Sequence, residues 1–350
     1  MLDETYMRRC LELAEMGMGN VSPNPMVGCV IVADGRIIGE GFHRKIGEAH
    51  AEVNAVKAVI DQYGDQAEDL FKRATVYVSL EPCAHFGKTP PCADLLIRHR
   101  VKKVVIGNKD PFSEVDGKGI EKLKNAGISV VQGVLEDSCT LLNRRFFTRV
   151  QQQRPYFILK WAQTANGFFA PLKRNKEWIS SGMAKKLTHK WRTEEDAILV
   201  GKGTVLADNP QLNTREWTGK NPVRLVIDKN LDIPVSAAIF NSDAKTVIFN
   251  EIKTEVIDNI HYIQMEDMQF YLPQKIAYQL YLMDIQSVII EGGAFMLSLF
   301  INAGLWDEAR VFHSSHSWMT GIPAPEIHGF IEEVMNVDAD RLLIYKNIKS

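Results

Sequence analysis

One histidine, one glutamate and two cysteines have the types and the spacing that a catalytic zinc site requires. His50 and Glu52 open a predicted helix, two residues apart, and Cys83 and Cys92 flank a loop rich in proline and glycine. Zinc prefers nitrogen and sulfur ligands in a tetrahedron, and one imidazole with two thiolates leaves one position open for water. Thiolates near a helix N-terminus are also stabilised by the helix dipole. We therefore expect His50, Cys83 and Cys92 to hold a zinc ion.

Glu52 is the residue we expect to move protons beside this metal. Water must lose a proton to attack as hydroxide and a leaving nitrogen must gain one, and a carboxylate near the metal can do both. His50 and Glu52 are too close in sequence to share a helix face, so their side chains are expected to straddle the first turn. The alternatives are a closed, structural zinc site, for which His85 is the nearby candidate for a fourth ligand, or a Cys92 that is only a buried thiol.

The order of these residues matches the pattern H-x-E…P-C-x-x-C, which is typical of zinc-dependent deaminases. His50-Ala51-Glu52 and Pro82-Cys83 fit it, but eight residues separate the two cysteines instead of two. The inserted residues must loop out before Cys92 returns to the metal. The pattern predicts hydrolytic removal of an amino group, by a site with a longer loop than the simplest form of the motif.

The composition of the chain excludes several classes of protein. Its formal net charge is −2 over 350 residues, so it has no basic excess for binding nucleic acid or an anionic membrane. It has no apolar run of about 18 residues, so no transmembrane helix is expected, and its start lacks the pattern of a signal peptide. Cys10, Cys29 and Cys139 lie in apolar segments, where reduced, buried thiols are expected. We expect a cytoplasmic protein with no nucleic-acid or membrane partner.

Strands and helices alternate in two halves of the chain, which is typical of α/β domains. In the first half the sequence predicts helices at 3–18, 50–60, 92–100, 117–126 and 136–147, and strands at 27–32, 74–78, 101–107 and 128–131. In the second half it predicts strands at 156–162, 197–201, 222–228, 246–249 and 287–291, and helices at 181–194 and 274–283. The polar tract 150–155 is the predicted linker between domains 1–149 and 156–350.

The segment from Glu81 to Cys92 resembles the pyrimidine deaminases of riboflavin biosynthesis, and so does the segment from Ser22 to Gly28. The resemblance covers nearly the whole chain and implies a three-layer, cytidine-deaminase-like domain followed by an α/β domain like dihydrofolate reductase. It implies deamination of a diaminohydroxypyrimidine that carries a phosphoribosylamino arm, and then NADPH-dependent reduction of the ribosyl group to a ribityl chain. Zinc and NADPH are the implied cofactors, and a homo-oligomer is expected.

Four polar residues are candidates for binding the substrate of the first step. Asn24 lies between two prolines ahead of a strand and could read the polar edge of a base, although turn chemistry also explains an asparagine there. His43, His85 and Lys88 are the local donors that could meet a phosphate. Ordinary exposure on a loop is the alternative explanation for His85 and Lys88.

The second half lacks the G-x-G-x-x-G fingerprint of dinucleotide-binding folds. It has Gly292-Gly293 between a predicted strand and a helix, and amides at that helix start could bind pyrophosphate. A tight strand-to-helix turn explains these glycines equally well.

The resemblance assigns further residues of the second half. For NADPH it implies Ala162, Trp178, Thr204, Asp208, Gly293, Ala294, Phe295, Met296, Leu297, Ser298 and Leu299. For the phosphorylated substrate it implies Lys176, Arg192, Leu212, Arg215 and Glu291. The two arginines are also suited to phosphate by their chemistry alone, because phosphate favours guanidinium groups, and surface ion pairing is the alternative explanation. Lys160 is interpreted as a catalytic charge partner near the reacting ribose.

The second half also departs from the family. Where the family has Lys-x-Ala-x-Ser-Leu-Asp-Gly, this chain has Thr164 for the serine and Asn166 for the aspartate. Lys176 stands where a serine is usual, and the segment 313–321 is unlike the common family ending. These departures leave open an alternative, in which the deaminase is active and the reductase-like domain only binds ligand.

Overall fold

A computed structural model of the protein describes residues 2–84, 86, 90–112, 115–172 and 179–348. The chain divides into two compact units, Met1–Gln153 and Arg154–Ser350. The tract 150–155, predicted as a linker, begins as the last turn of a helix that ends at Gln152. Val150 of this turn still packs against Phe146 and Phe147, which explains why the helix continues into a polar stretch.

The first unit is a mixed α/β domain. Its helices are α1 (Leu2–Glu15), α2 (Ala51–Tyr63), α3 (Ala67–Phe71), α4 (Cys92–Arg98), α5 (Lys118–Asn125), α6 (Glu136–Leu142) and α7 (Arg144–Gln152). Its strands are β1 (Gly28–Ala33), β2 (Arg36–Phe42), β3 (Thr75–Leu80), β4 (Lys103–Asn108) and β5 (Ser129–Gln132). They form a sheet of order β2-β1-β3-β4-β5, in which β3, β4 and β5 are parallel and β1 is antiparallel to both neighbours.

Alternating side chains along the strands produce three layers. On β1, Cys29 and Ile31 face a core that includes side chains of α2, α4 and α5. Val30 and Val32 face the opposite core, which includes side chains of α1 and α6. A strand buried on both faces needs apolar residues at successive positions, so the continuous apolar run that predicts β1 follows from this sandwich.

The helix predicted at 136–147 is two helices, α6 and α7, which meet at Asn143. The Asn143 side chain is buried and forms two hydrogen bonds with the backbone of Met26, accepting from its N–H and donating to its carbonyl, both at 2.8 Å. The break therefore ties the loop that carries Asn24 to the helical layer. The sequence does not predict this break between α6 and α7, because the residue that Asn143 contacts lies 117 positions away.

The second unit is also α/β. Its strands are β6 (Tyr156–Gln163), β7 (Phe168–Ala170), β8 (Ala197–Gly201), β9 (Val223–Ile227), β10 (Thr246–Asn250), β11 (Glu255–Ile257), β12 (Ile260–Gln264), β13 (Ser287–Ile290), β14 (Glu308–His313), β15 (Ile322–Pro323), β16 (Gly329–Val337) and β17 (Asp340–Asn347). Its helices are α8 (Gly182–Glu194), α9 (Lys202–Asp208), α10 (Leu272–Leu282) and α11 (Ala294–Asn302).

The main sheet of this unit has the order β11-β12-β10-β9-β8-β13-β6-β14-β17-β16. All neighbouring strands from β12 to β14 are parallel, and the others are antiparallel. Because β8, β13 and β6 are adjacent and parallel, the loops that follow them meet at one edge of the sheet. In open α/β sheets, ligands bind at such a carboxyl edge.

Two further predictions can be compared with the structure. All five cysteines are free, and Cys10, Cys29 and Cys139 are buried as expected. Across the described residues, no helix combines the length and the apolar character that crossing a membrane requires.

Candidate active sites

The three predicted zinc ligands converge in the first unit. Their ligand atoms all lie within 4.8 Å of one another, and His50 Nδ1 is 3.6 Å from Cys83 Sγ and 3.4 Å from Cys92 Sγ. A tetrahedral zinc with Zn–S of about 2.3 Å and Zn–N of about 2.0 Å holds such a nitrogen and sulfur about 3.5 Å apart. The donor set and its spacing therefore fit zinc.

Local structure positions each ligand. His50 is the N-cap residue of α2, and Cys92 is the first residue of α4. The backbone N–H of Cys92 donates to Cys83 Sγ at 3.3 Å, so the start of α4 supports a thiolate on the loop after β3. The hydrogen bond from the Cys92 side chain, together with His50, lowers the pKa of the Cys83 thiol. Such a thiol is readily available as a metal-binding thiolate.

Glu52 lies in the first turn of α2 and is only 3% exposed. Burial raises the pKa of this carboxyl to about 7, and its side chain contacts that of Cys92. A carboxyl that changes protonation near neutral pH is suited to both accepting and returning a proton. His50 and Glu52 straddle the start of the helix, as their spacing predicts.

Glu81 is a buried carboxylate that is not among the predicted site residues. It accepts four backbone hydrogen bonds, from the N–H groups of Asp110 (3.3 Å), Gly117 (3.0 Å), Gly119 (2.9 Å) and Ile120 (3.1 Å). These bonds fasten the end of β3 to the start of α5, directly before Pro82 and Cys83. The packing is tight, since a Cβ at Gly119 would lie 2.0 Å from the Pro82 carbonyl oxygen. Glu81 thus holds the loop that presents Cys83.

Asn24 and His43 line a cavity of about 280 Å³ together with His50, Glu52 and Cys83. Asn24 Nδ2 donates to His43 Nε2 at 3.1 Å, and His43 Nδ1 donates to the Ala49 carbonyl at 3.1 Å. Burial lowers the pKa of His43, which favours this neutral tautomer. Both ring nitrogens of His43 are engaged, so that it orients Asn24 in this structure, and its role toward a phosphate stays a prediction.

The other two predicted phosphate donors, His85 and Lys88, lie outside the described residues. The cavity has a different cation, Arg149 of α7, and a carboxyl, Asp110, whose pKa burial raises to about 6. Neither was selected from the sequence. A signal for Arg149 was available, because it follows the buried Phe146 by three residues and so shares its side of an amphipathic helix.

In the second unit, a cavity of about 500 Å³ opens at the carboxyl edge of the sheet. Its lining includes every predicted substrate residue of this unit that the structure describes, and also the proposed catalytic lysine: Lys160, Arg192, Leu212, Arg215 and Glu291. Arg192 and Glu291 form a two-pronged ion pair, Nε to Oε1 at 3.1 Å and Nη2 to Oε2 at 2.8 Å. Burial lowers the pKa of Lys160. Lys176 lies outside the described residues.

A second cavity, of about 400 Å³, lies beside the first and shares Thr204, Asp208 and Glu291 with it. Of the predicted cofactor residues, its lining includes Thr204, Asp208, Gly293, Phe295 and Met296. Gly201, Gly203 and Gly292 also line it, so that the backbone is open to a ligand at the start of α11. Glycine is needed at 292, where a Cβ would lie 2.5 Å from Met296 Cβ. An open, glycine-lined backbone at a helix N-terminus can bind the pyrophosphate of a dinucleotide.

Not all predicted cofactor residues reach this cavity. Ala162, Ala294, Leu297, Ser298 and Leu299 are absent from its described lining, and Trp178 lies outside the described residues. Leu297 is fully buried in the main core and Leu299 packs against that core. The helix face that carries these two leucines packs on the core, and their assignment to the cofactor stays a prediction.

Three further residues of the substrate cavity come from α8: Lys185, Thr188 and His189. With Arg192 they occupy positions i, i+3, i+4 and i+7, which is one face of a helix. This helical spacing is visible in the sequence, because Arg192 is a predicted site residue and the other polar residues lie one and two turns before it.

The side-chain hydrogen bonds of Asn166 connect two departures from the family pattern, the asparagine at 166 and the segment 313–321. Its side chain donates from Nδ2 to the Trp318 carbonyl at 2.6 Å, and its Oδ1 accepts from the Trp318 N–H at 3.2 Å. An aspartate could not make the first bond. The unusual residue at 166 and the unusual segment 313–321 are therefore matched to each other.

Two families match different parts of the chain. The family described as the cytidine and deoxycytidylate deaminase zinc-binding region matches residues 1–108, which include all three zinc ligands. The RibD C-terminal domain matches residues 155–317. These matches confirm the predicted mixed α/β fold class, with a cytidine-deaminase-like domain preceding a reductase domain.

Individual proteins are similar over most of the chain. Riboflavin biosynthesis protein RibD of Aquifex aeolicus (strain VF5) is 41% identical over 315 residues, covering 89% of this chain and 86% of that protein. RibD of Escherichia coli (strain K12) is 35% identical over 329 residues, covering 89% and 87%.

Solved structures agree with these relatives. The diaminohydroxyphosphoribosylaminopyrimidine deaminase/5-amino-6-(5-phosphoribosylamino)uracil reductase of Thermotoga maritima is 36% identical and superposes with a TM-score of 0.90 over 99% of both chains. A structure of Acinetobacter baumannii RibD, at 33% identity, also gives 0.90 over 99% of both chains.

Proposed function

Because this chain belongs to the RibD family of riboflavin biosynthesis proteins, we propose that zinc serves its deaminase domain and NADPH serves its reductase domain. The chain is a bifunctional deaminase and reductase. The observation that supports both cofactors is the presence of two separate sites. One unit joins an imidazole, two thiols and the buried Glu52, and the other has paired cavities that share Glu291.

The proposed substrate of the first step is the diaminohydroxyphosphoribosylaminopyrimidine for which the Thermotoga maritima relative is named. A zinc ion held by His50, Cys83 and Cys92 supplies activation of water for attack on the ring carbon that bears the amino group. Glu52 takes a proton from the attacking water and delivers it to the amino nitrogen, which leaves as ammonia. Asn24, oriented by His43, faces the base.

The proposed second step reduces the ribosyl group of the resulting 5-amino-6-(5-phosphoribosylamino)uracil. NADPH, bound at the start of α11 in the smaller cavity, supplies the hydride. A proton must reach the ribosyl ring oxygen as the sugar ring opens, and Lys160, which lines the larger cavity, is the lysine to which we assign its delivery. Its lowered pKa makes it a readier proton donor than an exposed lysine. Arg215, exposed at the cavity, is suited to the phosphate.

Assay of both half-reactions on the purified full chain, with metal analysis, tests this proposal. We expect about one zinc per chain, ammonia release from the diaminopyrimidine substrate, and NADPH oxidation only after deamination. Zinc-free chain that still releases ammonia would contradict the metal assignment. Supplying the deaminated intermediate directly distinguishes an active reductase from the alternative, a second domain that only binds ligand. Such a domain would leave NADPH unconsumed.

Several predictions from the sequence stay predictions. They are the domain bounds 1–149 and 156–350, the homo-oligomeric state, the cytoplasmic location and the absence of a nucleic-acid partner. Each rests on composition, spacing or family resemblance.

A further inference from the structure

His189 of α8 is a buried histidine at the reductase substrate cavity with unused hydrogen-bonding capacity. It is 2% exposed and lines the cavity that also contains Lys160, Arg192 and Glu291. Its Nδ1 is buried and has no hydrogen-bond partner among the described residues. Leaving a buried polar atom unpaired costs free energy, so such atoms commonly have a role beyond stability.

The polar neighbours of His189 are engaged elsewhere. Thr188 donates its hydroxyl to the Ala184 carbonyl of the same helix at 2.9 Å. Arg192 is occupied by Glu291 and by the Asn213 carbonyl, the latter at 3.1 Å. His189 is therefore a polar group of this helix face whose hydrogen-bonding capacity remains for a ligand.

The surroundings of His189 keep its ring neutral. Burial, with Arg192 and Arg215 nearby, lowers the pKa of His189 to about 4. Glu216 and Glu291 act in the opposite direction, but the lowering effects dominate. A neutral imidazole has one donor nitrogen and one acceptor nitrogen. A hydroxyl group also donates and accepts, whereas a phosphate only accepts and is better matched by cations.

Arg215 is the cation suited to the phosphate. It is exposed, its Nη1 donates to Asn213 Oδ1 at 3.1 Å, and it forms no ion pair within the part of the chain that the structure describes. The two ends of a phosphorylated sugar therefore have different complements in this cavity, a guanidinium at the surface and a neutral imidazole inside.

We propose that His189 binds a hydroxyl group of the substrate's ribosyl arm and so selects a phosphorylated sugar over a simple phosphate. This inference rests on the proposed reductase function. It makes His189 a specificity-determining residue, distinct from Lys160, which is assigned the proton.

The test uses the full chain with H189L, which removes both ring nitrogens, and H189Q, which restores a donor and an acceptor. The reductase half-reaction is measured with the deaminated intermediate and NADPH, and ribose 5-phosphate and inorganic phosphate are compared as inhibitors. H313L is the matched control: His313 also has an unpaired buried nitrogen and a pKa lowered by burial, but it does not line the substrate cavity.

In H189L we expect the KM for the intermediate to rise about tenfold, with the KM for NADPH unchanged and kcat altered much less. Inhibition by ribose 5-phosphate should weaken to a similar extent, while inhibition by inorganic phosphate stays the same. H189Q should recover part of the affinity, and H313L should match the unaltered chain.

An unchanged KM for the intermediate in folded H189L would overturn the inference, as would equal weakening of both inhibitors. If H189L does not fold, H189A, which also lacks both ring nitrogens, is judged by the same criterion. If the unaltered chain does not oxidise NADPH, the proposed reductase function itself fails. This outcome differs from a failure of the His189 inference, in which the unaltered chain is active.

Discussion

The zinc site and the reductase cavities of this chain are built from different parts of the polypeptide. The zinc site takes its side chains from a loop and from the starts of two helices, with His50 before α2 and Cys92 at the start of α4. The reductase cavities take theirs from the carboxyl ends of neighbouring parallel strands and from one face of α8. A metal site depends on a few residues of distinctive chemistry, whereas a cofactor cavity depends largely on backbone shape, and this difference decides how each can be tested.

The largest effect should come from removing the proton carrier of the zinc site. Glu52→Ala should reduce ammonia release about a thousandfold, because general acid–base catalysis is lost while the three ligands remain. Zinc content should be unchanged, and reduction of the supplied intermediate should proceed normally. Glu48→Ala, which changes an exposed carboxylate in the loop before His50, is the matched control. Ordinary ammonia release from the Glu52 variant would remove the role assigned to it.

Glu81 tests whether the zinc site also depends on distant backbone contacts. Glu81→Ala should destabilise the first domain by about 3 kcal/mol, because four backbone N–H groups lose a charged acceptor. Glu81→Gln, which keeps one acceptor oxygen, should cost less. Thermal unfolding and zinc retention measure both effects. If zinc retention and unfolding temperature do not change, Cys83 does not need this support.

Arg192 tests the corresponding support in the reductase site. Arg192→Lys keeps the charge but cannot reproduce the two-pronged bond to Glu291, so kcat/KM of the reductase step should fall about fiftyfold. Deamination should be unaffected. Lys190→Ala, which disrupts a more exposed ion pair on the same helix, serves as the control. A similar loss in both variants would point to damage to α8 instead of the site.

The smallest effect is expected at Asn166. Asn166→Asp restores the usual family residue but removes the donor to the Trp318 carbonyl, which should cost about 1 kcal/mol. Differential scanning calorimetry of the full chain can detect this as a lower unfolding temperature. Greater stability in the variant would show that Asn166 and the segment 313–321 are not matched to each other.

The sequence predicted the first domain better than the end of the second. The strands β1, β3, β4 and β5 and the helix after His50 correspond to the predicted elements within a few residues, whereas β7, α9, β11 and β12 of the second unit were not predicted. The strands β14, β16 and β17 were not predicted. β16 is exposed at most positions on the edge of its sheet, so it lacks the apolar alternation that marks a half-buried strand.

The residues of the candidate sites also differ in how well the sequence predicts them. His50, Glu52, Cys83 and Cys92 were identifiable because their side chains have unusual chemistry and a characteristic order. Glu81, Arg149 and His189 were not predicted, since glutamate, arginine and histidine have many ordinary uses. Helical spacing relates Arg149 to Phe146 and His189 to Arg192, but nothing local distinguishes Glu81.

The sequence by itself determined which groups could bind zinc and carry a proton, since ligand chemistry depends on side-chain type. Only the tertiary structure decided how these groups are held and oriented. Glu81 caps backbone groups up to 39 positions away, and Arg192 pairs with Glu291 across 99 positions. The hydrogen bond between His43 and Asn24, 19 positions apart, also depends on the fold. Such contacts arise when sheet packing brings distant segments together, and no local pattern records which segments those will be.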